Sequence, residues 1–399
     1  MKGPIKVVLK NEINGYNYIE RIFEWEEDSA YLYIDHIRFK DIPGAVLTYY
    51  NPPVHQVGNP ALDAYLEGLS KCRSYDLNFL ILYSCHDPVH AGGDLKESLK
   101  RLDETLKKKE EFEEKGALPE DIDRLFNWAD SRIKKGVSLH KSIRELSEHM
   151  RVVSVCGGGT RFGGSAEICL MADYLVGDSR SRLCFSEAMI GLIPGWSGIG
   201  RTIVKAGVLN ARYMASTGRD IDSRKLRDMG VYNIVVDVPY PFPKRSKTDD
   251  PQRDKAEYLK ALEEHEENCG KLLFPKALEI ATCREEDIPV LKEDNRISLS
   301  SMEDMEREIS SRSNPQNYSH IWGKPLREVR DEIKSMGRPL APQSIEALNE
   351  LFSKGLEGGF NEFEFVKMEG ELDGRLYRDP RFREGIVATL EQRVAKFII

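Results

Sequence analysis

A chain of 399 residues with 58 Lys+Arg against 66 Asp+Glu carries a formal net charge of -8. That balance gives no overall attraction to nucleic acid or anionic membranes, so an anionic ligand needs a local basic patch. Seven cysteines, an odd number without CxxC spacing or His-paired clusters, suggest neither a disulfide framework nor a structural zinc site; no metal is expected. Reduced thiols in a cytoplasmic chain are the simpler reading. The apolar run Ile5–Leu9 is far shorter than a signal-peptide core, and no later segment approaches about 18 uninterrupted apolar residues.

Residues 1–43 read as an N-terminal extension in which aromatic alternation at Tyr31, Tyr33 and Ile34, mixed with charge, leads into strands. From Gly44 the pattern sharpens. Ala45–Tyr50 is a predicted strand and Asn51-Pro52-Pro53 a turn. Leu62, Tyr65, Leu66 and Leu69 give residues 61–72 helical spacing. Asn78–Tyr83 is a nearly continuous apolar run, as expected of a strand covered on both faces, and it leads into His90-Ala91-Gly92-Gly93-Asp94. Strand, helix, strand and Gly-rich loop is the order of a βαβ unit. An α/β core over residues 44–238 follows.

Within that core, residues 99–150 form a charged insertion, including Lys107-Lys108-Lys109-Glu110-Glu111. Leu125, Phe126, Ile133, Leu139, Ile143 and Leu146 recur at helical intervals, so two or more surface helices are predicted, with the charge run as a solvated face. Val152, Val153 and Val155 mark a buried strand over Arg151–Cys156. It runs into Gly157-Gly158-Gly159-Thr160-Arg161-Phe162-Gly163-Gly164, where a helix should start before the strand Tyr174–Val176. Residues 239–340 are polar and proline-punctuated, then charged and helical, and are predicted to be a helical insertion with a helix start in Ser298–Ser313. Amphipathic helices over Ala341–Gly355 and Asn361–Leu376 belong to a C-terminal helical region, 341–399.

The two Gly-rich strand-to-helix junctions are the informative features. Each can present unpaired backbone N–H groups at a helix start. One junction would bind an anion, and two acting together could clamp a single developing oxyanion. Glycine suits the purpose because a side chain would block a carbonyl oxygen and because the turn can require positive φ. For each loop taken alone, a tight structural turn is an equal reading. Nucleotide readings are set aside: residues 157–164 do not fit GxGxxG with its acidic partner, and no Gly precedes a Lys-Ser/Thr pair.

Four ordered motifs carry a resemblance. His90-Ala91-Gly92-Gly93-Asp94-Leu95-Lys96-Glu97 resembles the first oxyanion loop of the crotonase (enoyl-CoA hydratase/isomerase) family, AGxDxKE. Gly159–Glu167 followed by Ala172-Asp173 resembles its second oxyanion segment. Phe185-Ser186-Glu187-Ala188-Met189-Ile190-Gly191-Leu192-Ile193-Pro194-Gly195 matches PE(x)4GxxPG, and Phe382–Phe397 is similar to the family's C-terminal FxEGxxAFxEKRxPxF. The resemblance covers roughly 44–238 and 341–397.

It implies a spiral of repeated βαβ units and an acyl-CoA substrate, with no cofactor beyond the coenzyme A of the substrate itself. The amides of Gly93 and Gly164 would form the oxyanion hole, a kind of preorganised donor worth about 3 to 4 kcal/mol each. Glu167 and Glu187 fall where hydratases carry paired carboxylates. Adding water across an enoyl thioester needs one group to take a proton and another to give one, roles that two carboxylates in a partly dry pocket can divide. Without the motif, Glu167 reads as a first-turn helix residue and Glu187 as a surface residue. Lys96 would lie near the phosphate-adenosine part of coenzyme A. Ala91, Asp94 and Leu95 would supply backbone contacts, and Lys396 would reach a neighbouring subunit's ligand. A homo-oligomer, trimer or hexamer, is implied as well.

Length and the late insertion also resemble 3-hydroxyisobutyryl-CoA hydrolase, but that pattern has Asp where this chain has Gly195. Trp196-Ser197, His86, His90 and Tyr49–His55 leave open hydrolytic ring opening of a cyclic oxoacyl-CoA. A binding module without turnover is the non-enzymatic alternative.

Overall fold

The computed structural model describes residues 13–246 and 250–398; the run Ile5–Leu9 lies outside them. The chain divides into two compact units and passes between them at Gly92/Gly93, His140/Lys141, Leu183/Cys184, Asp220/Ile221 and Ile297/Ser298.

The first unit is built on a seven-stranded sheet. Strands β1 (Tyr16–Glu27), β2 (Ala30–Phe39) and β3 (Ile42–Tyr50) form an antiparallel meander. Lys40 and Asp41 both have positive φ, at 49° and 65°, the backbone of the tight two-residue hairpin whose twist matches its strands. The stretch expected to be an extension is therefore hydrogen-bonded into the main sheet. After β3 the chain follows βαβ order: α1 (Asn59–Cys72) leads to β4 (Phe79–Ser84), which pairs parallel to β3 from Gly44 opposite Phe79. A side chain at Gly44 would run into the Phe79 ring. Strands β6 (Arg151–Cys156), β8 (Tyr174–Asp178) and β11 (Ile234–Val236) continue the parallel part, in the order β1-β2-β3-β4-β6-β8-β11.

Helix α9 (Pro251–Thr282) covers one face of this sheet. Its Leu273, Phe274, Ala277 and Leu278 pack with Phe79, Ile81, Val153, Val155 and Val176, all fully buried. Each such side chain removed from water stabilises by about 1.5–3 kcal/mol. A second sheet, ordered β10-β9-β7-β5, joins β5 (Val89–His90), β7 (Thr160–Phe162), β9 (Arg182–Cys184) and β10 (Ile221–Asp222). Short helices α5 (Gly164–Leu170) and α8 (Ser223–Asp228) complete the unit.

The second unit is helical. Helices α2 (Leu95–Glu114), α3 (Pro119–Arg124) and α4 (Asn127–Ser147) make up the charged insertion. Only Ser98, Leu102 and Thr105 of α2 are buried, so the Lys107–Glu111 run is a solvated face. The chain returns with α6 (Gly198–Ala206) and α7 (Val208–Thr217), and then α10 (Met302–Ser313), α11 (Arg330–Met336), α12 (Pro342–Lys354), α13 (Glu362–Leu376) and α14 (Pro380–Leu390). Ser301, Asn361 and Asp379 accept first-turn amides, which fixes where α10, α13 and α14 begin. The segment 239–340, expected to be one insertion, is shared: α9 belongs to the first unit and α10 and α11 to the second. No helix among the described residues is long and apolar enough to cross a membrane.

Candidate functional site

In the first unit the two Gly-rich loops run side by side. Parallel pairing of β5 with β7 sets Val89 opposite Thr160 and His90 opposite Arg161, and Gly159 N donates to Asp87 O at 2.9 Å. Gly158 and Gly163 have φ of +96° and +46°, so glycine is needed there for the turn itself. Gly92 is needed for space: a Cβ on it would stand 2.9 Å from Gly164 N and 2.9 Å from Phe162 O. The loops thus meet backbone against backbone. Ser165 Oγ donates to Ala91 O, and the Ala91 amide donates to Val54 O at 2.6 Å. That amide is engaged by the protein.

Gly164 opens α5, a helix whose residues are all buried. Glu167 is in its first turn, 3% exposed. The Arg161 guanidinium, also buried, braces the loop bases by donating to Cys85 O at 3.2 Å and Gly157 O at 2.6 Å. Beneath them Glu266 accepts from Tyr83 Oη at 2.7 Å and from the His86 amide at 2.5 Å. Burial pushes its carboxyl up to about 8. Burial, reinforced by the Arg161 charge, holds His86 and His90 well below the usual imidazole value.

In the second unit, Asp94 is the N-cap of α2. Its carboxylate accepts from Lys96 N at 2.9 Å and Glu97 N at 3.0 Å, which gives the expected binding residue a structural task. Leu95 is half-buried and Lys96 exposed. A Cβ on Gly93 would collide with the guanidinium of Arg132. Arg132 is buried, 3.6 Å from Glu97 and stacked 5.6 Å from the Trp196 ring centre. Nothing in the charged insertion singled Arg132 out, because its burial depends on Trp196, which is remote in sequence.

Glu187 opens a 3₁₀ turn, Glu187–Met189. It is 8% exposed, so the surface-residue reading does not hold. Its carbonyl accepts the amides of Ile190 at 2.9 Å and Leu192 at 3.0 Å, while Ala341 N donates to Ala188 O. Glu369 is buried and accepts amides from Ser197, Ile199 and Gly200 at 3.1, 3.2 and 3.1 Å, so these first donors of α6 are taken by a protein carboxylate. A Cβ on Gly195 would stand 2.5 Å from Asp373 Oδ2. Lys396 is exposed, with its Nζ 5.4 Å from the Trp322 ring centre.

Residues 130–239 match the family model "Enoyl-CoA hydratase/isomerase". That span contains Gly164, Glu167 and Glu187, whereas Gly93, Lys96 and Lys396 fall outside it. A Rickettsia prowazekii (strain Madrid E) protein named for the fatty acid oxidation complex trifunctional enzyme is 24% identical over 179 residues, 43% of this chain and 22% of that protein. The fatty acid oxidation complex subunit alpha of Vibrio cholerae serotype O1 is 35% identical over 80 residues, 20% of this chain and 11% of that protein. The chain therefore matches under a quarter of the length of these curated relatives. The crystal structure of an enoyl-CoA hydratase from Rhodobacter sphaeroides 2.4.1 shares the fold, with a TM-score of 0.52 and 14% identity over 87% of this chain and 86% of that one. The mixed α/β architecture with a parallel-dominated sheet and a helical C-terminal region is a crotonase fold. Over residues 130–239 the chain is similar to the enoyl-CoA hydratase/isomerase family.

Proposed function

We propose that this chain is an acyl-CoA enzyme that adds water to, or eliminates it from, an enoyl thioester. The observation that carries the reading is burial of both acidic residues, Glu167 at 3% and Glu187 at 8% exposure, each on an element that begins at or follows a family motif. Burying a carboxylate is costly to the fold, and two carboxylates in partly dry surroundings can divide the tasks of taking and giving a proton.

In this reading the amides of Gly93 and Gly164 receive the thioester oxygen and favour an enolate. One carboxylate takes a proton from water at the β-carbon and the other returns one at the α-carbon. Coenzyme A is the handle of the substrate, with Lys96 and Lys396 as exposed cations for its phosphates and the segment Ala91–Leu95 along its pantetheine. Thioester hydrolysis finds less support. The hydrolase pattern has Asp at the position that Gly195 occupies in this chain.

Incubation with crotonyl-CoA, a cyclic enoyl-CoA and 3-hydroxyisobutyryl-CoA tests the assignment. Loss of enoyl absorbance without thiol release is expected; thiol release would identify a thioesterase, and ring opening would be seen by mass spectrometry. Binding without any product would leave only a binding module. Glu167→Gln and Glu187→Gln should each lower turnover by at least about 100-fold with CoA-ester affinity near normal. Full activity in either variant removes that residue from the mechanism.

A further inference from the structure

Four polar side chains of the first unit gather behind the first Gly-rich loop, and the chemistry above leaves them unused. Cys85, Asp87 and His90 lie in the run Cys85-His86-Asp87-Pro88-Val89-His90 after β4, and His55 comes from the turn after β3. One ligand atom from each of His55, Cys85 and His90 lies within 4.8 Å of the others. His55 Nε2 is 3.2 Å from Cys85 Sγ and 2.7 Å from Asp87 Oδ2. The two imidazole rings are 4.9 Å apart at their centres. All four residues are buried, and Tyr31, Tyr33 and Tyr50 pack around Cys85.

His90 supplies a second, independent sign. It hydrogen-bonds a backbone group of Asp87, while its buried Nε2 has no hydrogen-bond partner among the described residues. The bond to Asp87 therefore uses Nδ1, which leaves the lone pair on Nε2. A buried lone pair without a donor is unfavourable to the protein alone. A ring oriented by a backbone carbonyl through its other nitrogen is the usual form of a metal-binding histidine.

We propose that His55, Cys85 and His90, with Asp87 beside them, hold a zinc-class divalent cation, although the cysteine spacing gave no expectation of a metal. Two imidazoles, a thiolate and a carboxylate suit four-coordinate zinc, with bonds of about 2.0–2.3 Å. The protons balance as follows. Without metal, the Asn51 amide donates to His55 Nδ1 at 3.1 Å, so Nε2 carries the ring proton and gives it to Asp87. On metal entry the Cys85 thiol releases its proton to solvent, the His55 proton exchanges from Nε2 to Nδ1, and the Asn51 amide leaves that nitrogen. About one proton departs per cation bound.

The full chain, produced in medium where cobalt(II) replaces zinc and then freed of loose metal by gel filtration, tests the site. About one cobalt per chain is expected, with a thiolate-to-cobalt charge-transfer band and the visible bands of a tetrahedral ion. Cys85→Ser and His90→Gln should each lower metal content at least about ten-fold, while Cys283→Ser, a change at a partly exposed thiol elsewhere in the chain, leaves it unchanged. Should either variant fail to fold, the wild-type spectrum decides: substoichiometric cobalt, or cobalt without the charge-transfer band, overturns the proposal. Equal metal in the wild type and a folded variant carrying both Cys85→Ser and His90→Gln overturns it as well. Metal content and spectrum are read without turnover, so this result is separable from the acyl-thioester assignment.

Discussion

A carboxyl group removed from water keeps its proton unless a cation or several donors compensate. Glu266 and Glu362 show the two outcomes. Glu266 receives the His86 amide and the Tyr83 hydroxyl, yet burial prevails and raises it from 4.5 to about 8. Asp87 pushes in the same direction and Arg161 against it. Glu362 also loses solvation, which raises it, but His140 at 2.7 Å and Arg201 at 2.9 Å bring it down to about 2. For Glu266 the folded chain binds a proton more tightly than the unfolded one. Its contribution to stability is complete below about 4.5, declines by up to about 1.4 kcal/mol per pH unit toward about 8, and levels off above. Glu266→Gln, with no proton to lose, should flatten that decline in urea melts compared between about pH 5 and about pH 8. An unchanged slope would assign it to another group. Neither glutamate was legible beforehand, because their partners lie 183 and 222 residues away in the chain.

Elements were more readable where local pattern and burial agree. The apolar runs at Ala45–Tyr50 and Asn78–Tyr83 form strands as expected, over Ile42–Tyr50 and Phe79–Ser84, and Arg151–Cys156 is a strand over the same residues. Such runs need both faces covered, and on one face α9 supplies the cover. The sequence showed that this segment is helical and charged, but not that its Leu273–Leu278 stripe packs on the parallel sheet, since partners such as Phe79, Ile81, Val153 and Val155 lie far earlier in the chain. Leu273→Ala should lower unfolding free energy by about 2–5 kcal/mol, read from the shift of a chemical denaturation midpoint at constant slope. A cost below about 1 kcal/mol would mean that α9 is not a cover for the core. The tyrosine-lined histidine and cysteine cluster was illegible for a related reason: His55 comes from a different turn, and spacing rules detect only ligands close in sequence.

For the molecule as a whole, the chain changes unit five times, at the boundaries between 92/93, 140/141, 183/184, 220/221 and 297/298. Composition shifts set off residues 99–150 and 239–340 but could not show which unit each would join. Assembly belongs to this scale too. If Lys396 reaches a neighbouring subunit's ligand, as the resemblance implies, light scattering should give a trimer or hexamer; a monomer at working concentration would remove that lysine from the site. The meeting of Gly92 with Gly164 has its own mechanical consequence. Any side chain added at Gly92 would wedge main chain from main chain, so the smallest substitution there moves a whole loop where elsewhere it would shift one neighbouring group.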